Sequence, residues 1–396
     1  MGAKIRLASA ILSRILRICL AFLLILTFAA SGARAQDSFF WYPVLKPHYF
    51  YSPSAGFGAG LGINGQNLLR SGDRSRSRLR LQQFRQSGSV AWASDSPSVG
   101  WSGWMATLKG YRHVQEGFYG RGPSSRPSFK RDLNRVELSG EIRRAFSLPG
   151  GTWVQPRVLA RLDRVVGFGN AHGGEPSGRT LTHLDGLVAA GTSMTVGMGL
   201  DLGWSVSPQT LLQAHLDIRR APQGVRQAVA GVFADRTWLL PNRGRVTARI
   251  LVDHTLTQSG EVPFYLLPKL DDALAPGWDR FRFYGNDRIV LGATYVHPVL
   301  EILKSHVYEG IVHVGLSQVY NDLFSDFSPR VAWAPDRQSF GSGVPLEPTF
   351  AIGSQLVARK SGHVLLAATL GISAEGFIAT SFQITQRLSG WFPAVR

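Results

Sequence analysis

Cysteine is almost missing from this chain of 396 residues, where Cys19 stands alone. It falls inside a leader expected to be cleaved, and too early to be a lipoprotein cleavage cysteine, so the mature chain is expected to be thiol-free. That excludes a disulfide framework, a thiolate zinc site and a thiol nucleophile. Carboxylates are few: 26 Asp and Glu stand against 43 Lys and Arg, a formal charge of +17. After residue 35 no apolar run approaches the roughly 20 residues that a membrane helix requires. A Gly-x-Ser-x-Gly elbow and a His-Glu-x-x-His pair are also missing, and the ten histidines are scattered.

What is present begins with that leader. Lys4, Arg6, Arg14 and Arg17 make a basic start, residues 18–30 are apolar, and Ala33-Arg34-Ala35 offers a small-x-small cleavage site before Gln36. Removing residues 1–35 takes Lys4, Arg6, Arg14, Arg17 and Arg34 and no acid, so the formal +17 falls by five to +12. So basic a chain invites a nucleic-acid reading. Its arginines, however, are not gathered on one helix face or beside stacking aromatics, and no nucleic-acid partner is expected. Many fall on the polar phase of strands. Arg74, Arg76, Arg126 and Arg131 fall in expected turns, where they suit anionic lipid head groups or simple solubility equally.

The strongest signal is a period of two. Ile378, Thr380, Phe382, Ile384, Gln386 and Leu388 alternate with Ala379, Ser381, Gln383, Thr385 and Arg387. A strand sends alternate side chains to opposite faces, so this segment wants oil on one side and water on the other. The pattern recurs at residues 136–142, 154–164, 212–219 and 247–253. A soluble sandwich also alternates, with its apolar face inward. Here the polar phase carries both signs of charge strand after strand, as an ion-paired lumen would. Aromatic clusters at Phe39-Phe40-Trp41-Tyr42, Tyr49-Phe50-Tyr51, Phe118-Tyr119 and residues 281–284 are expected to form interfacial girdles. The expected fold is all-β, a transmembrane antiparallel β-barrel in the bacterial outer membrane.

Its size follows from length. About 361 mature residues, at near 20 to 24 per strand and connection, give roughly 16 strands, an even number that closes the sheet. The expected organisation is a signal peptide at 1–35, a periplasmic lead-in at 36–54, the barrel at 55–388 and a C-terminal extension at 389–396. Gly56, Gly58, Gly60 and Gly62 weaken the expected first strand. Beside Phe382 and Ile384 of the last strand they would make a possible seam. Nothing in the sequence points to a cofactor or a metal.

Two motifs carry a resemblance. Phe118-Tyr119-Gly120-Arg121-Gly122-Pro123-Ser124-Ser125 resembles the Phe-Tyr-Gly-x-Gly-Asn-x-Ser/Thr element of bacterial surface antigen barrels. The stretch 262–270, then Gly277-Trp278, then Arg280, Phe281-Arg282-Phe283-Tyr284 and Asp287-Arg288, is similar to that family's lumen loop and the strand start after it. The superfamily includes outer-membrane protein assembly factors and two-partner secretion transporters. The resemblance implies a loop folded back into the lumen, with Gly277, Trp278, Arg280, Phe281, Arg282 and Tyr284 at its motif positions. There are departures. Pro276 stands where the family's loop arginine falls, so Arg280 or Arg282 is the substitute cation to consider. The stretch before the first strand is also too short for the periplasmic transport-associated domains that assembly factors carry.

The function expected from this resemblance is an accessory in outer-membrane protein or lipid assembly. Its expected surroundings are outer-membrane lipid and lipopolysaccharide, with nascent outer-membrane proteins or a separate periplasmic subunit as further partners. The alternative is a passive narrow channel or a structural surface antigen. An enzyme is not expected: a barrel lipid hydrolase is the remote third reading, and Ser193 in Gly191-Thr192-Ser193-Met194-Thr195 is only a partial lookalike of a nucleophile motif.

Overall fold

A computed structural model describes residues 40–42, 48–52, 56–66, 73–94, 103–119, 121–123, 125, 131–169, 191–221, 224–260, 262–270, 275–278, 282–302, 305–333, 343–359, 363–374 and 376–384. The expected leader and C-terminal extension lie outside these residues, as do Gly120, Arg280 and Phe281.

Almost all of it is strand. The elements are β1 (Phe40–Tyr42), β2 (His48–Ser52), β3 (Gly56–Gln66), β4 (Arg74–Gln82), β5 (Arg85–Ala93), β6 (Gly103–Phe118) and β7 (Arg131–Ser147). They continue as β8 (Thr152–Gly169), β9 (Gly191–Ser207), β10 (Thr210–Arg220), β11 (Arg226–Leu239), β12 (Arg245–Ser259), β13 (Lys269–Leu270) and β14 (Phe283–Tyr284). The last are β15 (Asp287–Ile302), β16 (His306–Tyr320), β17 (Phe327–Val331), β18 (Val344–Ala358), β19 (His363–Ser373) and β20 (Gly376–Ile384). Turn chemistry separates them. Between β11 and β12, Arg243 takes a positive φ of 63° and the Asn242 side chain accepts the Gly244 amide at 3.1 Å, the local bonding that favours asparagine in turns.

From β2 to β12 each strand pairs antiparallel with the next. The ladder then steps to β15, β16, β18, β19 and β20. Strand β2 pairs with β20 as well as with β3. Among the described residues, sixteen strands therefore run in a closed antiparallel circuit. Closure matters in hydrocarbon, where each unpaired edge group costs several kcal/mol. Around the circuit the long connections, 119–130, 170–190, 260–286 and 321–343, all fall on one rim. The other rim has only shorter ones.

The barrel is inside out. Val158, Met198 and Ile352 are 64, 61 and 58% exposed on the outer wall, whereas Asp163, Thr195 and Asp201, on the opposite phase, are buried facing the lumen. Register explains the match between strands: Val158 pairs with Met198, and Asp163 with Ser193.

Three expectations change. Arg74, Arg76 and Arg131 are not in turns: the first two open β4, on the phase opposite the outward Leu79 and Leu81, and Arg131 opens β7. The glycine strand does not meet the last strand, because β2 lies between them, pairing His48–Ser52 with Gly60–Gly56 on one side and Tyr49–Tyr51 with Ile384–Phe382 on the other. Finally, Phe118, Tyr119, Phe283 and Tyr284 form no girdle. They are buried within the barrel, and the aromatics on the outer wall at the short-connection rim include Trp104, Phe146, Trp204 and Trp238.

Candidate functional site

Between β12 and β15 the chain turns into the lumen. Pro263 precedes a 3-10 turn at Phe264–Leu266, and β13 then pairs with β14 through Lys269–Tyr284 and Leu270–Phe283. Val262, Phe264, Leu266, Leu267 and Leu270 are buried, so an apolar segment that reads like a strand serves as the core of a plug.

The plug joins the two motifs, which are some 160 residues apart. Phe118 packs on Phe264 with ring centroids 4.8 Å apart, and Phe264 meets Tyr284 edge to face at 5.3 Å. Each such pair adds about 0.5–1.5 kcal/mol beyond the area it buries. Gly122, at a φ of +82°, donates its amide to the Tyr284 carbonyl at 2.7 Å. The Arg282 guanidinium, 1% exposed, donates to the Ser125 hydroxyl at 2.9 Å and the Ser125 carbonyl at 2.8 Å. It lies between two rings, 4.8 Å from the Tyr119 centroid and 4.3 Å from that of Phe283. Arg282 is thus a cation inside the barrel beside the loop, although no arginine stands at Pro276.

The far side of the plug reaches the opposite wall. Trp278 is buried, donates its indole N–H to the Ser317 hydroxyl of β16 at 3.0 Å, and meets Phe283 edge to face at 4.9 Å. Gly277 has a φ of +114°, and a Cβ there would lie 2.5 Å from the Ile372 carbonyl of β19. Only glycine allows so close an approach of backbones.

The near wall is an ion-paired network. The Tyr284 hydroxyl donates to Glu116 at 3.1 Å, and Glu116 accepts from Arg135 Nε at 2.8 Å. Arg135 also pairs with Asp163 at 3.1 Å and Glu137 at 3.3 Å, and Arg161 bridges the same two carboxylates at 2.6 and 3.2 Å. The Tyr265 ring stands against both guanidiniums, 5.7 Å from Arg135 and 5.3 Å from Arg161. Arg219 of β10 donates to the Leu266 carbonyl at 2.9 Å, and Arg288 of β15 to that of Lys269. Below these contacts a cavity of about 450 Å³ remains, lined among others by Arg85, Tyr111, Arg157, His215 and Arg288.

Of the motif residues expected from the sequence, the structure brings Phe118, Tyr119, Gly122, Arg282 and Tyr284 together, and sets Gly277 and Trp278 against the far wall. Gly120, Arg280 and Phe281 lie outside the described residues. Gly56, Gly58, Gly60 and Gly62 are in β3, and Phe382 and Ile384 in β20, with β2 intervening. Glu116, Arg135 and Trp278's partner Ser317 were not singled out by sequence reasoning. Their only signal was a place on the polar phase, and their partners depend on strand register. Among the described residues no group of three His, Cys, Asp or Glu side chains is placed to hold a metal ion.

No family model matches the chain, and no curated protein matches it. Solved structures do share its architecture. BamA from Haemophilus ducreyi lacking POTRA domains 1-3 superposes with a TM-score of 0.58 at 12% identity, over 85% of this chain and 69% of that one. CdiB from Escherichia coli gives 0.54 at 9% identity, over 90% of this chain and 68% of that one. Identities this low establish a shared barrel fold and nothing finer.

Proposed function

We propose that this chain is an outer-membrane accessory in protein or lipid assembly, working at the seam between β2 and β20 rather than through its lumen. The observation that carries the reading is the plug. A passive channel needs a clear bore, whereas this lumen is crossed from Arg219 of β10 to Ile372 of β19 by residues 262–270 and 275–278. The seam supports it from the other side. Among the described residues, Tyr49–Ile384, Phe50–Gln383 and Tyr51–Phe382 join β2 to β20, while β6 and β7 pair from Gly103–Ala145 to Phe118–Arg131. An opened edge there would offer backbone groups to a nascent strand of another outer-membrane protein or disturb the lipid and lipopolysaccharide around it. A separate periplasmic subunit would deliver such a client. The likeness of fold to the BamA and CdiB barrels agrees with this reading.

The test is a lock. Opposed strand residues have Cα separations near 4.5 or 5.5 Å, within disulfide range, so Phe50→Cys with Gln383→Cys should cross-link. The locked form is expected to lower outer-membrane protein levels or growth, with rescue by reductant. A cell indifferent to the lock would remove the seam from the mechanism.

A further inference from the structure

On the outer wall Arg112 donates to Gln86 at 3.3 Å, and at the short-connection rim Arg144 and Arg236 lie over the rings of Trp104 and Trp238, 5.1 and 5.2 Å from their centroids. The long-connection rim differs. There Arg164 of β8, Arg220 of β10 and Arg226 of β11 are exposed, and each ends an outward phase that runs through apolar residues: Val158 and Leu162, Leu212 and Ile218, and Val232. Arg220 and Arg226 are register partners. The Ala221 amide donates to the Val225 carbonyl at 3.0 Å immediately beyond them. Theirs is therefore a non-hydrogen-bonded pair, in which Cα atoms stand about 4.5 Å apart and facing side chains come closest. Like charges so placed repel and weaken the sheet. Their other outward neighbours bring no acid: Val196 lies beside Arg220, Ser259 beside Arg226, and Val136 and Thr192 beside Arg164. Among the described residues none of the three is held by a hydrogen bond or an ion pair.

We infer that Arg220, Arg226 and Arg164 form a site on the outer wall for the phosphate groups of the diphosphorylated glycolipid anchor of lipopolysaccharide. An anion between Arg220 and Arg226 turns their repulsion into a two-sided clamp, and each guanidinium can meet phosphate oxygens in bidentate fashion. Arg164 stands apart from that pair. Ala160 is in register with Val196 and so with Arg220, and Arg164 lies four residues beyond Ala160 on β8. The offset is about 10 Å across the sheet and about 13 Å along it. One phosphate cannot meet all three arginines, whereas a headgroup carrying two is suited to them. Depth selects the leaflet: longer connections of such barrels face the cell exterior, and the three arginines stand where the apolar band gives way to that rim. Below them Val196, Met198, Ile218 and Val232 are exposed and offer acyl chains an apolar bed, which a free phosphate does not need. Strands β10 and β11 lie half the circuit away from the seam between β2 and β20, so the site stands or falls separately from it.

The experiment is native mass spectrometry of the full barrel in detergent, with diphosphoryl lipid A, that glycolipid anchor, as probe. One bound lipid per barrel is expected, with binding at least threefold weaker for the monophosphoryl form and lost when both phosphates are removed. Arg220→Gln with Arg226→Gln should weaken binding at least tenfold. Arg220→Lys with Arg226→Lys should retain most of it, because an ammonium still meets phosphate as a point charge. Arg164→Gln should erase the preference for two phosphates over one, and Arg236→Gln, beside Trp238 at the other rim, should change nothing. Equal binding by the Gln pair and the native protein, in samples that both show heat-modifiable migration, would overturn the site. So would displacement of the lipid by phosphatidylglycerol or inorganic phosphate at equal concentration, which would mark a general anion site.

Discussion

A guanidinium sealed from water is costly unless its donors are met, and Arg282 meets two of them through a single residue, Ser125. Hydrogen bonds to a charged group are worth about 1.5–3 kcal/mol each, enough to pin one end of the plug. Arg282→Met keeps the stem and removes the donors. The expected outcome is a loosened plug in an intact barrel, read as new protease cleavage within residues 260–286 while migration on gels stays heat-modifiable. Unchanged protection would mean that the aromatic packing of Phe118, Phe264 and Tyr284 holds the plug without it. At this scale the sequence showed which residues were unusual but not which ones meet. Arg282 and Tyr119 are far apart along the chain, and no local periodicity links them.

Among the elements, the segment between β12 and β15 has the most direct consequence. Its leucines and aromatics would suit a lipid-facing strand, but Pro263, Pro268 and Pro276 deny it a continuous ladder. It folds inward and buries those side chains against the wall instead. If it closes the bore, the native protein should be silent in planar bilayers, and replacing residues 262–284 by a short Gly-Ser linker should produce steady conductance. Steady, ion-selective current from the native protein would favour the passive channel. Strand β2 teaches the complementary lesson. Residues 48–52 belong to the expected lead-in, an aromatic stretch interrupted by prolines such as Pro47 and Pro53, yet they occupy a place in the ring. Pairing on both sides decided that, and pairing partners are not local information.

For the whole molecule, inversion of the usual arrangement is the governing fact: apolar side chains outermost and ionised ones within. Val158 stands on the outer wall amid Met198 and Ile142. A cation near the membrane midplane on that face costs about 2–4 kcal/mol, so Val158→Arg should lower stability in lipid by that order in a urea titration. If Val158→Arg costs nothing, the outer wall does not face hydrocarbon. The amino-acid sequence by itself determined the all-β class, the strand count near sixteen and which phase of most strands is apolar, because these depend on period two, on chain length and on turn residues, all local quantities. The tertiary structure alone decided that the ring closes through β2 and that the two motifs share one buried site. Register and closure bring residues together across large sequence separations, and only the folded circuit fixes both.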